Sequence, residues 1–244
     1  MVLDVLIVHF NTPELTTALI RSIRKMCRQD VRINVFDNSD KRPLPKWGGV
    51  RIFDNTKGQL IDFRKFLEQY PDRFGDEGTR RNDWASAKHM KTIDYCFDLL
   101  PDGFILMDSD ILLKQDITWM ADRRFAWAGW RRQYKTPLGY RTRLWPFLCW
   151  LNVPVLRENG IGYFNAEHCW NLIPDQAGAY DDTGCWVLSE ADRKGLRGME
   201  VWIDEYMVHF GSASWGKTHS LIDNQMKWLY DNRQYYEHGD FRVL

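Results

Sequence analysis

Phe104, Ile105, Leu106 and Met107 run without a polar interruption into Asp108, and Ile111, Leu112 and Leu113 resume the apolar run after Asp110. Pro101, Asp102 and Gly103 precede it as a turn, so the first four residues read as a buried strand. Side chains alternate along an extended backbone, which points Asp108 and Asp110 the same way and Ser109 the other. Two carboxylates converging at the mouth of a core strand make an oxygen-rich site suited to Mg2+ or Mn2+. A solvated acidic turn is the plainer alternative, and so apolar a strand gives it little reason to carry both charges.

A chain of 244 residues is long enough to bury a substantial core as one large α/β domain. Lys plus Arg balance Asp plus Glu at 33 each, so net charge draws the chain to neither nucleic acid nor anionic lipid. No apolar run approaches membrane-spanning length. Met1 to Asp4 lead straight into a short strand without a signal-peptide pattern. Cys27, Cys96, Cys149, Cys169 and Cys185 are scattered without a CxxC pair, which argues against a zinc site or a disulfide framework. Together these features predict a cytoplasmic protein. The 12 Trp, with 10 Tyr and 13 Phe, permit sugar stacking as readily as aromatic packing.

In chain order, Asp4–His9 is a nearly all-apolar strand of the kind found inside parallel sheets. Thr12 can cap a helix that Pro13 opens and whose face Leu15, Leu19, Ile23 and Met26 supply. Val31–Asp37 and Val50–Phe53 follow as strands, ending in the polar groups Asp37 to Asp40 and Asp54-Asn55. Open α/β sheets bind ligands outside the carboxyl ends of their strands, which turns His9, Asn11, Asp37, Asn38 and Asn55 toward one crevice. Each is equally suited to a turn or cap. A dinucleotide fingerprint is absent after the first strand. Helices are expected over Gln59–Tyr70 and Trp84–Leu100, with a loop over Pro71–Asp83. Ser86 and His89 share neighbouring turns of the second helix, where His89 can touch a ligand or serve as a structural histidine.

Beyond Leu113 the composition changes. Trp127, Trp130, Tyr134, Tyr140, Trp145, Phe147 and Trp150 alternate with Arg131, Arg132, Lys135, Arg141 and Arg143. Aromatic core with snorkelling arginines and an acceptor-binding wall fit this pattern equally; no nucleic-acid module accompanies it. Asp181 and Asp182 fall at the N-terminus of a helix that ends near Gly195, and negative charge is favoured at a helix start. Val201–Val208 reads as a strand emptying into the Gly/Ser-rich stretch after His209, which makes His209 a candidate metal ligand. Leu221–Tyr236 reads as a closing amphipathic helix. There is neither an internal repeat nor a second domain: residues 1–113, 114–220 and 221–244 form a donor half, an acceptor half and a C-terminal helix.

Taken together, Val5 to Asn11, Phe36 to Ser39, the Asp108-Ser109-Asp110 triplet and His209 to Trp215 resemble family 2 glycosyltransferases of the GT-A fold. The likeness runs from about Val2 to Lys217 and rests on four short motifs in the right order. It departs from the family at Asn55-Thr56-Lys57-Gly58 and at the later acidic motif, here only Asp181-Asp182-Thr183-Gly184. The resemblance implies a single GT-A-like, Rossmann-like domain with a mostly parallel central sheet flanked by helices. It implies a nucleoside-diphosphate sugar held by His9, Asn11, Asp37, Asn38, Asn55, His89, Asp108 and Ser109. Mn2+ or Mg2+ would sit on Asp110, assisted by Asp108 and His209, and Lys217 would add charge at the leaving diphosphate. Asp182, with Asp181 as the close alternative, would be the catalytic base of an inverting transfer of a hexosyl or deoxyhexosyl group to a glycan or a lipid- or protein-linked saccharide. Such an enzyme would serve polysaccharide biosynthesis, with peripheral membrane association compatible with it.

Two rivals belong to other classes. A sugar-phosphate nucleotidyltransferase needs a glycine-rich, arginine-bearing phosphate loop after the first strand, and His9 to Pro13 is not one. A non-catalytic carbohydrate-binding module would use the tryptophans but leave Asp108, Asp110, Asp182 and His209 without a joint purpose.

Overall fold

The computed structural model describes residues 2–69, 77–136, 139–166 and 183–210, together with Tyr230 and Arg233. The chain begins with β1 (Leu3–His9), α1 (Pro13–Met26), β2 (Val31–Asp37) and β3 (Val50–Asp54), followed by α2 (Phe63–Glu68) and α3 (Glu77–Leu99). Next come β4 (Phe104–Asp108), β5 (Ile111–Leu113), β6 (Trp127–Thr136), β7 (Gly139–Leu151) and α4 (Val153–Glu158). Further along the described residues come α5 (Cys185–Arg193), β8 (Gly198–Glu200) and β9 (Met207–His209). One seven-stranded sheet runs β3-β2-β1-β4-β7-β6-β8, and β5 pairs with β9 apart from it.

The pairings β3-β2, β2-β1, β1-β4 and β6-β8 are parallel, and the two made by β7 are antiparallel. This is the mostly parallel, helix-flanked α/β domain expected from the alternation of apolar strands and helices. Every residue of β1 is buried, as a strand covered on both faces requires. Val5 and Ile7 meet Leu19, Ile20 and Ile23 of α1 on one face. Leu6 and Val8 meet Met90, Ile93 and Phe97 of α3 on the other. Each fully buried aliphatic chain in these layers contributes about 1.5–3 kcal/mol relative to exposure. The one charge inside β1, Asp4, accepts two bonds from Arg32 at 2.6 and 2.5 Å and one from Asn34 at 2.8 Å.

Several element boundaries differ from expectation. Glu77 already belongs to α3, so the charged loop expected over Pro71–Asp83 gives way to helix in its second half. Charged residues are good helix formers when one face is solvated, and an apolar stripe is needed only where the helix meets the sheet. The helix over Gln59–Tyr70 shortens to α2, because Asn55 captures the backbone of Leu60 and Ile61 at 2.9 and 2.8 Å. The strand over Val201–Val208 shrinks to β9, with a 3-10 turn at Ile203–Glu205 before it. Thr12 flanks α1 as expected, but its side chain makes no cap bond. Its hydroxyl instead meets that of Ser109 at 3.0 Å. Tyr230 is helical with Arg233, whose guanidinium lies 5.1 Å over its ring; the rest of the expected C-terminal helix lies outside the described residues.

Cys27, Cys96 and Cys149 are free thiols. Burial pushes the Cys27 thiol up to about 12 and raises those of Cys96 and Cys149 further, so none of these three is a ready thiolate. No helix among the described residues is long and apolar enough to cross a membrane.

Candidate active site at the strand ends

Strand order turns back at β1: the chain moves outward to β2 and β3, then returns to lay β4 on the other side of β1. Such a reversal opens a crevice at the carboxyl ends of the two strands. Val8 faces Asp108 across the β1-β4 pair, so the end of β4 discharges its aspartates into that crevice.

The pairing of β5 with β9 brings in the third member. Ile111 stands opposite His209, and the Phe210 amide donates to the Asp110 carbonyl at 2.9 Å. His209 Nε2 thereby comes to 3.4 Å from Asp110 Oδ1. One side-chain atom each from Asp108, Asp110 and His209 falls within a 4.8 Å cluster. Ser109 points away and joins Thr12. The alternation expected of the triplet therefore holds, and the hydroxyl contact locks it to the start of α1.

His89, on α3, places Nε2 3.2 Å from Asp108 Oδ1. Burial pushes the Asp108 carboxyl up, yet the contact with His89, followed by the charges of His209 and Arg143, outweighs it and holds Asp108 below the usual carboxylate range. The triad thus offers two oxygens and an imidazole nitrogen, a donor set fit for a divalent first-row cation. Mg2+ prefers oxygen ligands and an octahedral water-rich shell, so the imidazole favours Mn2+.

The residues at the ends of β1, β2 and β3 have a second employment. His9 is fully buried, its Nδ1 2.7 Å from Thr16 Oγ1 and its Nε2 3.3 Å from the Arg42 carbonyl. Burial lowers its pKa despite the nearby Asp37 carboxylate, which favours the neutral ring. Asp37 accepts from the amides of Ser39 and Leu44 at 2.9 and 2.8 Å. Asn11 holds a left-handed φ of 56° and accepts from the Lys41 and Arg42 amides at 3.0 and 2.9 Å. Asn38 donates to Thr92 Oγ1 at 2.8 Å and accepts from Asn55 at 2.9 Å. These side chains shape the loops that wall the crevice, the turn-building role that sequence alone left open beside ligand contact. Asp181, Asp182 and Lys217 lie outside the described residues.

Three neighbours carried no distinctive sequence signal. Lys88, its charge disfavoured by burial, has its ammonium 5.8 Å over Phe10 and 5.2 Å over Phe63. Arg143 acts on Asp108 from β7. Phe147 stacks on His209 with centroids 3.6 Å apart. Phe147 and Arg143 were visible only as members of the aromatic-basic segment, because their approach depends on how β7 bends.

No protein-family model matches the sequence, and no curated protein matches it. Among solved structures, the chain is similar to the galactosyltransferase LgtC in complex with donor and acceptor sugar analogues, at 10% identity and a TM-score of 0.49 over 91% of this chain and 83% of that one. It is similar to the bifunctional glycosyltransferase WbbM at 12% identity and a TM-score of 0.46, over 95% of this chain but 44% of WbbM. A third is the mannosyltransferase PcManGT of Pyrobaculum calidifontis in complex with GDP-Man and Mn2+, at 12% identity and a TM-score of 0.44. That match covers 82% of this chain and 54% of the mannosyltransferase. The chain therefore spans about half the length of two of these three.

Proposed function

We propose that this chain is a metal-dependent glycosyltransferase that moves a sugar from a nucleoside-diphosphate donor to a saccharide hydroxyl. The observation that carries the reading is the meeting of Asp108, Asp110 and His209 at the reversal point of the sheet. Asp110 and His209 hold the cation, Mn2+ by preference, and Asp108 assists while His89 fixes its carboxylate. The bound cation supplies charge neutralisation at the departing diphosphate. Asn11, Asp37, Asn38 and Asn55 support the base and ribose through the loops they shape, and Ser109 keeps the two aspartates in register with α1. Lys217 adds positive charge near the leaving group.

Asp182, with Asp181 next to it, is the proposed base. Thr183, the residue that follows the acidic pair in sequence, is buried, and Gly184 at φ 86° leads into α5. One base taking the acceptor proton during attack from the opposite side of the anomeric carbon gives inversion. The sugar passes through an oxocarbenium-like transition state. Polysaccharide assembly on the cytoplasmic side of a membrane is the setting proposed for such an enzyme.

The test is a donor screen. Purified protein is incubated with nucleotide sugars and mixed saccharide acceptors with Mn2+ or with EDTA, and nucleoside diphosphate release is followed. Release that needs metal and acceptor supports the reading; pyrophosphate release from a nucleoside triphosphate would replace it with nucleotidyl transfer. The anomeric configuration of the product, read by NMR, decides between inversion and retention. Glycan binding that persists in EDTA without nucleotide affinity would leave a carbohydrate-binding module.

A further inference from the structure

Strands β5 and β9 are three residues each and pair antiparallel without a turn to join them. In a hairpin the turn sets the register. Here Lys114 and Asp204, just beyond the paired residues, are 90 residues apart in sequence. Burial does little to choose the register, since of β9 only Met207 is buried, with Val208 and His209 half-buried. A slip of one residue would take His209 from its place opposite Ile111 and turn its side chain to the other face. The ring of Phe147 stacks on His209 from an excursion of β7, where Trp145 to Leu148 stand against Trp130 alone. That stack holds the imidazole plane once β9 is in place, but a ring contact does not count residues along a strand.

The counting is done at the other end of the pair. The Lys114 amide donates to the Tyr206 carbonyl at 2.7 Å. The Lys114 ammonium donates to the Asp204 carbonyl, and Gln115 Nε2 donates to the Glu205 carbonyl at 3.0 Å. The consecutive carbonyls of residues 204, 205 and 206 are thus taken by two consecutive residues after β5. They end the 3-10 turn Ile203–Glu205, whose Ile203 carbonyl already accepts from the Tyr206 amide at 2.9 Å. The three are therefore the groups that the turn itself leaves open. The segment that takes them is anchored in its turn. The Leu113 amide donates to Ser22 Oγ of α1 at 3.2 Å, and Asp116 accepts from the amides of Arg28 and Thr118 at 3.2 and 3.1 Å. The Trp119 ring lies 5.4 Å from that of Tyr206. A frame that starts on α1 thus runs through residues 113–119 to the turn, and from the turn along β9 to His209.

We infer that Lys114 and Gln115 are positioning residues of the site: by holding the carbonyls of Asp204 and Glu205 they fix the register of β9 on β5, and with it the place of His209 beside Asp110. The consequence for a cation rests on the proposed metal-dependent transferase reading; the register does not. A ladder of three residues makes too few bonds to keep one register unaided. A ligand set fails when a member stands about 1 Å out of place, so the supporting contacts matter as much as the ligands. Gln115 is exposed and Lys114 half-buried, so both can be changed without opening the core.

The test compares the intact parent chain with the double variant Lys114→Met/Gln115→Leu, which loses both side-chain donors, and with Lys114→Arg, which keeps one. Amide hydrogen exchange reads the register without metal. The Phe210 amide, bonded to the Asp110 carbonyl, reports β9, and the Asn38 amide, bonded to the His9 carbonyl, reports the rest of the sheet. Electron-spin-echo spectroscopy of added Mn2+ reads an imidazole nitrogen on the ion, assigned to His209 by its loss in His209→Gln. In the double variant Phe210 exchanges about tenfold faster, the scale of one or two exposed hydrogen bonds, while Asn38 keeps its rate. The nitrogen signal is lost, and Lys114→Arg keeps both readings at the parent value. Gln115→Leu alone moves both in the same direction by a smaller amount. Parental exchange at Phe210, or faster exchange with the nitrogen signal intact, overturns the inference. Equal acceleration at Phe210 and Asn38 marks a general loosening and overturns it too. A parent without any nitrogen signal removes the metal-dependent reading, and the exchange of Phe210 against Asn38 then decides the register by itself.

Discussion

The imidazole of His209 and the ring of Phe147 lie nearly face to face, with centroids 3.6 Å apart and planes 27° from parallel. A metal-ligating histidine works best when its ring is held in one orientation, and groups behind a ligand commonly tune affinity about 10–100-fold. Phe147→Ala is therefore expected to weaken Mn2+ binding within that range, while Phe147→Tyr keeps it near the parent value. Calorimetric titration of Mn2+ into the two variants makes the comparison. Equal affinities in parent and alanine variant would show that β9 alone orients His209.

Asp110 is 7% exposed by side chain and contacts His209, so its carboxylate has little water to fall back on. Asp110→Asn should abolish the stabilisation that nucleoside diphosphate and Mn2+ give together. For the parent this amounts to about 2.7 kcal/mol at a hundredfold excess over Kd. Chemical denaturation with and without the pair measures it, and a variant still stabilised by metal plus nucleotide would exclude Asp110 as a ligand.

Acid should destabilise the fold in separate windows. His9 has its pKa lowered in the native state by burial, so the unfolded chain binds the proton first as pH drops below about 6.5. Stability is therefore full above that value and declines as pH falls below it. Asp108 also has a lowered native pKa, and its contribution, present above about pH 4, is lost as pH falls through the native value. Denaturation midpoints measured between pH 7.5 and 5 should decline in the parent and flatten in His9→Gln, which keeps an amide to meet Thr16. An unchanged slope in the variant would locate the acid sensitivity elsewhere.

Gly184 starts α5 with φ at 86°, and a Cβ there would lie 2.0 Å from the Leu144 carbonyl oxygen. The Leu144 amide also donates to the Gly184 carbonyl at 3.2 Å, so neither backbone can withdraw freely. Gly184→Ala should cost about 3 kcal/mol. That corresponds to a melting midpoint roughly 6–12 °C lower for a chain of this size. Thermal denaturation checks it; a shift within error would mean that β7 and the turn can separate at little cost.

The parallel half of the sheet was legible because β1 and β4 are uninterrupted apolar runs punctuated by turn residues, and sheet burial demands that pattern. The Asp108 and Asp110 pair was legible for the same reason, as charge at the end of a core strand. His209 stood out by its place before a Gly/Ser-rich stretch, although its partner strand did not. β5 and β9 are three residues each, too short to show a period, and their pairing joins distant parts of the chain. The excursion in β7 left no trace either, since Trp145 to Phe147 satisfy strand propensity as well as a bend does. The polar residues after β1, β2 and β3 drew attention as ligands, but Asn, Asp and His bond backbone as readily as substrate. His9, Asp37 and Asn55 are buried and bonded to the backbone of neighbouring loops, a placement that residue type alone does not reveal.

The Ile111–His209 pairing also sets when the site can exist. During synthesis the segment bearing Asp108 and Asp110 emerges long before residue 209, so a cation shared between them as proposed could bind only after residue 209 has emerged. Closing so long a loop is entropically unfavourable and slow compared with forming the β6–β7 hairpin. A cation that bridges the aspartates to His209 would stabilise that late contact by mass action. On the proposed reading, metal occupancy would then mark a chain in which β9 has paired with β5.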